Sequence, residues 1–145
     1  MAIYFYTSTD KYGALSNFAR YGFELDGKYW HSVEHYFQAQ KFPATQWAEK
    51  IRKALTPKEA KQLGRTRTLP IRSDWEQVKD NVMRRAIWQK FISHPELKEL
   101  LLSTGDEELI ENSPNDYYWG CGADGSGKNM TGVLLMEIRL ALKQQ

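Results

Sequence analysis

Cysteine is almost missing from this chain. With Cys121 alone among 145 residues, there is no internal disulfide and no zinc site built on several thiolates. Long apolar runs are missing too: no stretch approaches the roughly 20 apolar residues of a spanning helix. The opening Met1-Ala2-Ile3-Tyr4-Phe5-Tyr6 lacks the charged n-region of a secretion signal. The expectation is a soluble, cytoplasmic protein with no membrane partner. Charge of one sign is scarce as well. The 20 basic and 18 acidic residues are mixed and leave a net charge of +2, so the footprint of a dedicated nucleic-acid binder is absent, although a local basic patch is allowed. Histidine is limited to His31, His35 and His94, without a carboxylate or thiol arrangement that makes a convincing metal site.

What is present suits a single compact domain over residues 1–145, with 41% hydrophobic residues for its core. Aromatic content is high at 13%, enough for an aromatic-rich core and for stacking surfaces. Ile3 to Tyr6 reads as a strand. Tyr21 to Trp30 reads as a hairpin, because Asp26-Gly27 supplies the positive φ values of a tight turn. Asp10 to Phe18 between them is a polar and aromatic loop.

From Ser32 the pattern turns helical. Ser32 is a good N-cap, which places Glu34 in the first turn of a helix that closes before Pro43. Trp47, Ile51, Ala54 and Leu55 form the apolar face of a second helix. A third has Thr56 as cap, Pro57 at its first position, Glu59 completing a capping box and Gly64 ending it. After a connector carrying Arg65, Arg67, Pro70 and Arg72, Ser73 and Glu76 open a long helix through Trp75, Val78, Val82, Ile87 and Phe91. His94-Pro95 separates it from a short helix that Gly105 terminates. Leu109 to Glu111 is a brief strand, Trp119 to Lys128 a glycine-rich loop, and Leu134, Leu135, Ile138 and Leu142 lie on a last amphipathic helix. The class is α+β, predominantly helical, with a small N-terminal hairpin or sheet packed on a helical bundle.

Gly122 to Asn129 nearly matches the phosphate-binding pattern G-x-x-x-x-G-K-[ST], but Asn129 replaces the hydroxyl residue that ligates Mg²⁺. No apolar strand precedes the loop, and too little chain follows for the sheet of an NTPase. Two readings of the loop remain: a phosphate holder with Asn129 capping the next helix and Lys128 adding charge, or a flexible turn.

The run from Trp30 to Phe42 places a carboxylate, two imidazoles, aromatic rings, two amides and an ammonium within about three helical turns. Packing alone does not require such variety. Glu34 stands at the positive end of the helix dipole, and Glu34, Gln38 and Lys41 share a face at i, i+4 and i+7. Asp116 lies in the turn-rich loop before Tyr117, Tyr118 and Trp119, and Trp75 begins the long helix just after the arginine-bearing connector. Two carboxylates and a stacking ring are what cleavage of a ribosyl–nitrogen bond needs. One carboxylate stabilises an oxocarbenium-like transition state or activates water, the other assists, and the ring holds the leaving base. The structural alternatives are a turn-forming Asp116 and a Trp75 that anchors its helix.

Ser32-Val33-Glu34-His35-Tyr36-Phe37-Gln38-Ala39-Gln40-Lys41 resembles the signature of the YbiA-like, or NADAR, family. So do Leu15 to Phe18, Val78 to Met83, Asn115 to Gly120 and Gly127 to Met136, in order and over nearly the whole chain. The resemblance implies a cofactor-free, metal-free N-glycosidase. Its substrate would be a phosphoribosylamino-pyrimidine of riboflavin biosynthesis, releasing ribose 5-phosphate. Two alternatives come with the family: an enzyme that removes ADP-ribose from guanine of nucleic acid, and a non-catalytic module that binds NAD or ADP-ribose. The resemblance places Glu34, Trp75 and Asp116 as the catalytic set and gives Cys121 no catalytic part. Asn17, Phe18, Tyr36, Gln38, Lys41 and Trp119 are expected in the site, with Arg65, Arg67, Lys128 or Asn129 receiving the phosphate.

Overall fold

The computed structural model describes residues 1–145. The backbone groups into two compact bodies, Asn17–Ser93 and a discontinuous one made of Met1–Ser16 with His94–Gln145. The class is α+β with helices dominant. No helix is long and apolar enough to cross a membrane.

In the body of residues 17–93, β2 (Phe23–Leu25) and β3 (Lys28–Trp30) pair antiparallel through a turn with φ of 56° at Asp26 and 77° at Gly27. Aspartate and glycine tolerate those left-handed values better than other residues do. The hairpin packs on α1 (Val33–Ala39) and on α4 (Trp75–Ser93). Helix α1 is buried on every side, so its polar groups need partners within the protein. Ser32 caps it by accepting from the His35 backbone N–H at 3.2 Å. The His35 ring faces the Ala54 carbonyl through Nε2 at 3.0 Å and the Ser32 hydroxyl through Nδ1 at 2.7 Å. Burial lowers its pKa, so the neutral ring donates from Nε2 and accepts at Nδ1.

Helices α2 (Gln46–Arg52) and α3 (Pro57–Gly64) complete this body, capped by Thr45 and Thr56. Three details depart from the sequence reading. Ala54 and Leu55 lie beyond the end of α2, and Leu55 is exposed rather than on an apolar face. Glu59 does complete a reciprocal cap, but its carboxylate accepts from the Leu55 N–H at 3.2 Å, one residue before the cap. Helix α4 begins at Trp75, with the Asp74 carbonyl taking the Gln77 and Val78 N–H groups, so Ser73 is not the cap. Lys90 on α4 is fully buried, with its ammonium 5.9 Å from the Tyr21 ring centroid and 5.3 Å from that of Phe91.

In the discontinuous body, β1 (Ala2–Phe5) pairs parallel with β4 (Glu108–Glu111), Ile3 opposite Leu109. The first strand lies one residue earlier than its pattern suggests, because the Tyr6 N–H turns to the Asp10 carboxylate. A single 3-10 turn, Gly13–Leu15, interrupts the following loop. Helix α5 (Pro95–Ser103) stops where Gly105 adopts φ of 62°. Helix α6 (Met130–Lys143) buries Leu134, Leu135, Ile138 and Leu142 and packs on β4.

Asn129 precedes α6 with a left-handed φ of 53°, and its side chain does not cap the helix, contrary to expectation. Instead its amide bridges β4, donating to the Leu109 carbonyl and accepting from the Glu111 N–H, both at 2.9 Å. The N–H groups of Gly127, Lys128, Asn129, Met130 and Thr131 all donate to carbonyls between Tyr117 and Cys121, at 2.7 to 3.1 Å. The loop is thus neither a flexible turn nor an open nest of amides, because the chain itself fills it.

Candidate active site

Glu34 and Gln38 on α1, with Lys41 just beyond its C-cap, form the polar face that helical spacing predicts. Glu34, Gln38 and Lys41 are 6%, 4% and 8% exposed, so three polar side chains in a row are withdrawn from water. Charges and amides in that position must satisfy one another. Gln38 Nε2 donates to Glu34 Oε2 at 2.6 Å. The Glu34 N–H donates to the Asn17 carbonyl at 3.1 Å, which fixes the first turn of the helix from outside.

Lys41 extends from the end of α1 toward α3, where its ammonium lies 3.5 Å from the Gly64 carbonyl. It stands 5.8 Å from the Phe37 ring centroid and 5.9 Å from that of Trp75. Burial pushes its pKa down to about 8; Glu34 opposes that shift, while Arg67, Arg65 and Lys61 reinforce it. Around the Lys41 ammonium thus stand one buried carboxylate, Glu34, and three further cations, Arg67, Arg65 and Lys61. Arg67 also donates to the Gly64 carbonyl at 3.3 Å, and the Lys61 ammonium sits 5.6 Å from the Phe18 ring centroid. Lys61 is a member that sequence reasoning missed. Its spacing of four from Arg65 on α3 is the signal that could have found it.

Trp75 is buried, with its ring tilted against Phe37 at 5.0 Å between centroids. It is therefore both an anchor of α4 and part of the aromatic wall beside Lys41. Asn17 donates from Nδ2 to the Met83 sulfur at 3.5 Å. Tyr36 is expected in the site but is fully buried, and its hydroxyl is engaged by Asp26 and Arg85. Arg65 is exposed at the end of α3.

The remaining residues of the expected site belong to the other body. One oxygen of Asp116, Oδ1, accepts from the backbone N–H groups of Tyr118 at 3.0 Å and Trp119 at 2.8 Å. That is the turn-forming role open to an aspartate at this position. The Trp119 ring meets Tyr118 edge-on at 4.9 Å, and the Lys128 ammonium lies 5.5 Å from the Tyr118 centroid. Asn129 has both ends of its amide committed to β4.

The protein thus has a largely helical α+β fold that gathers a buried carboxylate, an aromatic wall and a cationic cluster. The chain belongs to the NADAR domain family, whose profile matches residues 4–143. The Escherichia coli (strain K12) protein named N-glycosidase YbiA is 50% identical over 137 residues, covering 94% of this chain and 86% of that protein. The NMR structure of E. coli YbiA matches with a TM-score of 0.90 at 48% identity, covering 99% of this chain and 86% of that one. A chloroplastic riboflavin biosynthesis protein of Zea mays is 43% identical over 152 residues, which cover 94% of this chain and 24% of that protein.

Proposed function

We propose that the protein is an N-glycosidase that hydrolyses the bond between ribose 5-phosphate and the amino nitrogen of a phosphoribosylamino-pyrimidine. The observation that carries the reading is the Glu34 carboxylate, buried and held by Gln38 at 2.6 Å beside a cluster of cations. Relatives named as N-glycosidases and as riboflavin biosynthesis proteins support the reaction type, and the second name is consistent with the substrate class proposed here.

Breaking a ribosyl–nitrogen bond leaves positive charge on the sugar as the bonding pair departs with nitrogen. A carboxylate fixed in a site with little water stabilises that charge strongly, since nothing need reorganise as it develops. Glu34 then takes a proton from the water that adds to the anomeric carbon, and that proton passes on to the departing nitrogen, so that the amine and ribose 5-phosphate are the products. Lys41, Arg65 and Arg67 provide the charge to hold the 5-phosphate, with Lys61 as a fourth cation. Phe37 and Trp75 offer the aromatic wall for the heterocycle. The family resemblance gives the Asp116 carboxylate a part in the reaction in addition to its turn.

The test is a reducing-sugar release assay on a phosphoribosylamino-pyrimidine, NAD, ADP-ribose and ADP-ribosylated guanine nucleotides, with wild type and Glu34→Gln. Ribose 5-phosphate should appear from the first substrate and fall by about a thousandfold or more in the variant, which stays folded. Near wild-type turnover by Glu34→Gln removes that residue from the mechanism. Release of ADP-ribose from the guanine substrate alone replaces the substrate assignment.

A further inference from the structure

Gln38 Oε1 is buried and has no hydrogen-bond partner. The amide cannot be reversed to cure this. Its Nε2 donates to Glu34 Oε2, and turning the group over would set an amide oxygen against a carboxylate oxygen. A buried acceptor without a donor is unfavourable, so the amide is kept for what its other end does.

The orphaned oxygen lies against Gly64. A Cβ on that residue would collide with Oε1, and would come within 2.7 Å of Gln38 Cδ and 2.9 Å of its Cβ. Gly64 is not there to end α3 with a left-handed backbone, as the sequence pattern suggests. It is the last residue of the helix, its φ is not positive, and Arg65 is the C-cap in a right-handed conformation. Space explains the glycine. Its carbonyl meanwhile lies 3.5 Å from Lys41 Nζ and 3.3 Å from Arg67 Nη1, so one residue both makes room for the amide and gathers two of the cations.

We propose that Gly64 and Gln38 together form the positioning device of the site: the missing side chain at 64 seats the Gln38 amide, and the amide fixes the Glu34 carboxylate. Gln38 is then a positioning residue: its Nε2 donates to Glu34 and its Oε1 is turned away against α3. The inference rests on the role proposed for Glu34.

The experiment compares wild type, Gly64→Ala, Gln38→Ala, the double variant and Glu34→Gln, all as the full chain, with the phosphoribosylamino-pyrimidine as probe. Each single change at 38 or 64 should lower kcat about 10- to 100-fold with KM within about twofold, as expected when a reacting group is misplaced. The acid limb of the pH–rate profile should move up, since the carboxylate loses a donor that favours its charged form. The double variant should lose far less than the product of the single losses, because the closest clashes, with Oε1 and Cδ, leave with the glutamine and only the 2.9 Å approach to the Cβ of residue 38 remains. Multiplied losses would assign Gly64 to helix packing and overturn the pairing. Wild-type kcat with an unmoved acid limb in Gln38→Ala overturns the proposal even if Gly64→Ala fails to fold. Titration of the Glu34 carboxyl by NMR gives an arm independent of substrate: an upward shift in Gln38→Ala supports the device, and no shift overturns it. An inactive Glu34→Gln beside unaffected 38 and 64 variants defeats the device alone, whereas an active Glu34→Gln defeats the catalytic reading itself.

Discussion

The Tyr36 hydroxyl donates to Asp26 Oδ2 at 2.7 Å, joining the middle of a buried helix to the tip of a hairpin. Arg85 closes the arrangement from α4, donating to the Tyr36 oxygen at 3.0 Å and to Asp26 Oδ1 at 2.8 Å. Three elements of one body are thereby pinned at one point, and α1 cannot slide without breaking it. The face that carries Glu34 and Gln38 gains its fixed bearing from this knot on the helix's other side.

Tyr36→Phe should cost about 1–2 kcal/mol of stability, read from urea unfolding, since it removes a donor and an acceptor from half-buried charged partners. The pH dependence has two edges. The hydrogen bond from Arg85 and then that from Tyr36 hold the Asp26 pKa below 3.8, so this stabilisation is present above that value and lost as pH falls through the folded value. Burial, then the bond to Asp26, raises the Tyr36 pKa above 10.0, so its share is present below 10 and lost as pH climbs further. Above pH 10 the wild type should lose stability more steeply than Tyr36→Phe; equal slopes would contradict the assignment.

Two buried lysines set an opposite trend near neutrality. Burial lowers Lys41 to about 8 and Lys90 to about 7, from an ordinary 10.5. Between those values and 10.5 the unfolded chain binds more protons, so stability rises with pH. The penalty for burying both charges is complete below about 7 and eases above it. Urea midpoints should therefore increase from pH 7 to 9.5. Lys90→Met should raise the midpoint at pH 6.5 and flatten the climb, and a lower midpoint in that variant at pH 6.5 would count against it.

Asn129 unites a left-handed φ of 53° with two hydrogen bonds to β4. Asn129→Ala loses the bonds and strains the backbone, roughly 2–4 kcal/mol together, whereas Asn129→Gly loses only the bonds. Thermal unfolding should order them wild type, glycine, alanine. A glycine variant as stable as wild type would show that the bridge to β4 is dispensable.

Asp116→Asn keeps an oxygen to accept from the Tyr118 and Trp119 N–H groups and removes only the charge. If the carboxylate takes part in the reaction, this variant should fold normally and lose about 100-fold or more in kcat. Full activity in Asp116→Asn, with loss only in Asp116→Ala, would leave the residue its turn and nothing else.

Much of the fold was readable because it is written in local chemistry. Asp26-Gly27 specifies its turn, Ser32 and Thr56 specify their helix starts, and Gly105 specifies a stop. The face shared by Glu34, Gln38 and Lys41 follows from helical spacing alone. What stayed hidden depends on partners distant in sequence. Nothing near Ile3 announces that it will lie parallel to Leu109, and nothing near Gly64 announces Gln38. Leu55 fits a helical period, yet α2 ends at Arg52 before it can join that face. Lys61 reads as an ordinary helix-surface lysine until Lys41 and the two arginines are seen around it.

The pairing of β1 with β4 also imposes an order of events in time. Residues 17–93 form a compact body from one continuous segment, so it can collapse while the chain is still being made. Strand β1 is synthesised before that body, has its partner at Glu108–Glu111, and must wait until the residues between them exist. Closing so long a loop is far less of an entropic burden once the residues between have already contracted. Strand β1 is therefore among the last elements to find its place, and a truncation that removes β4 should leave it an unpaired edge.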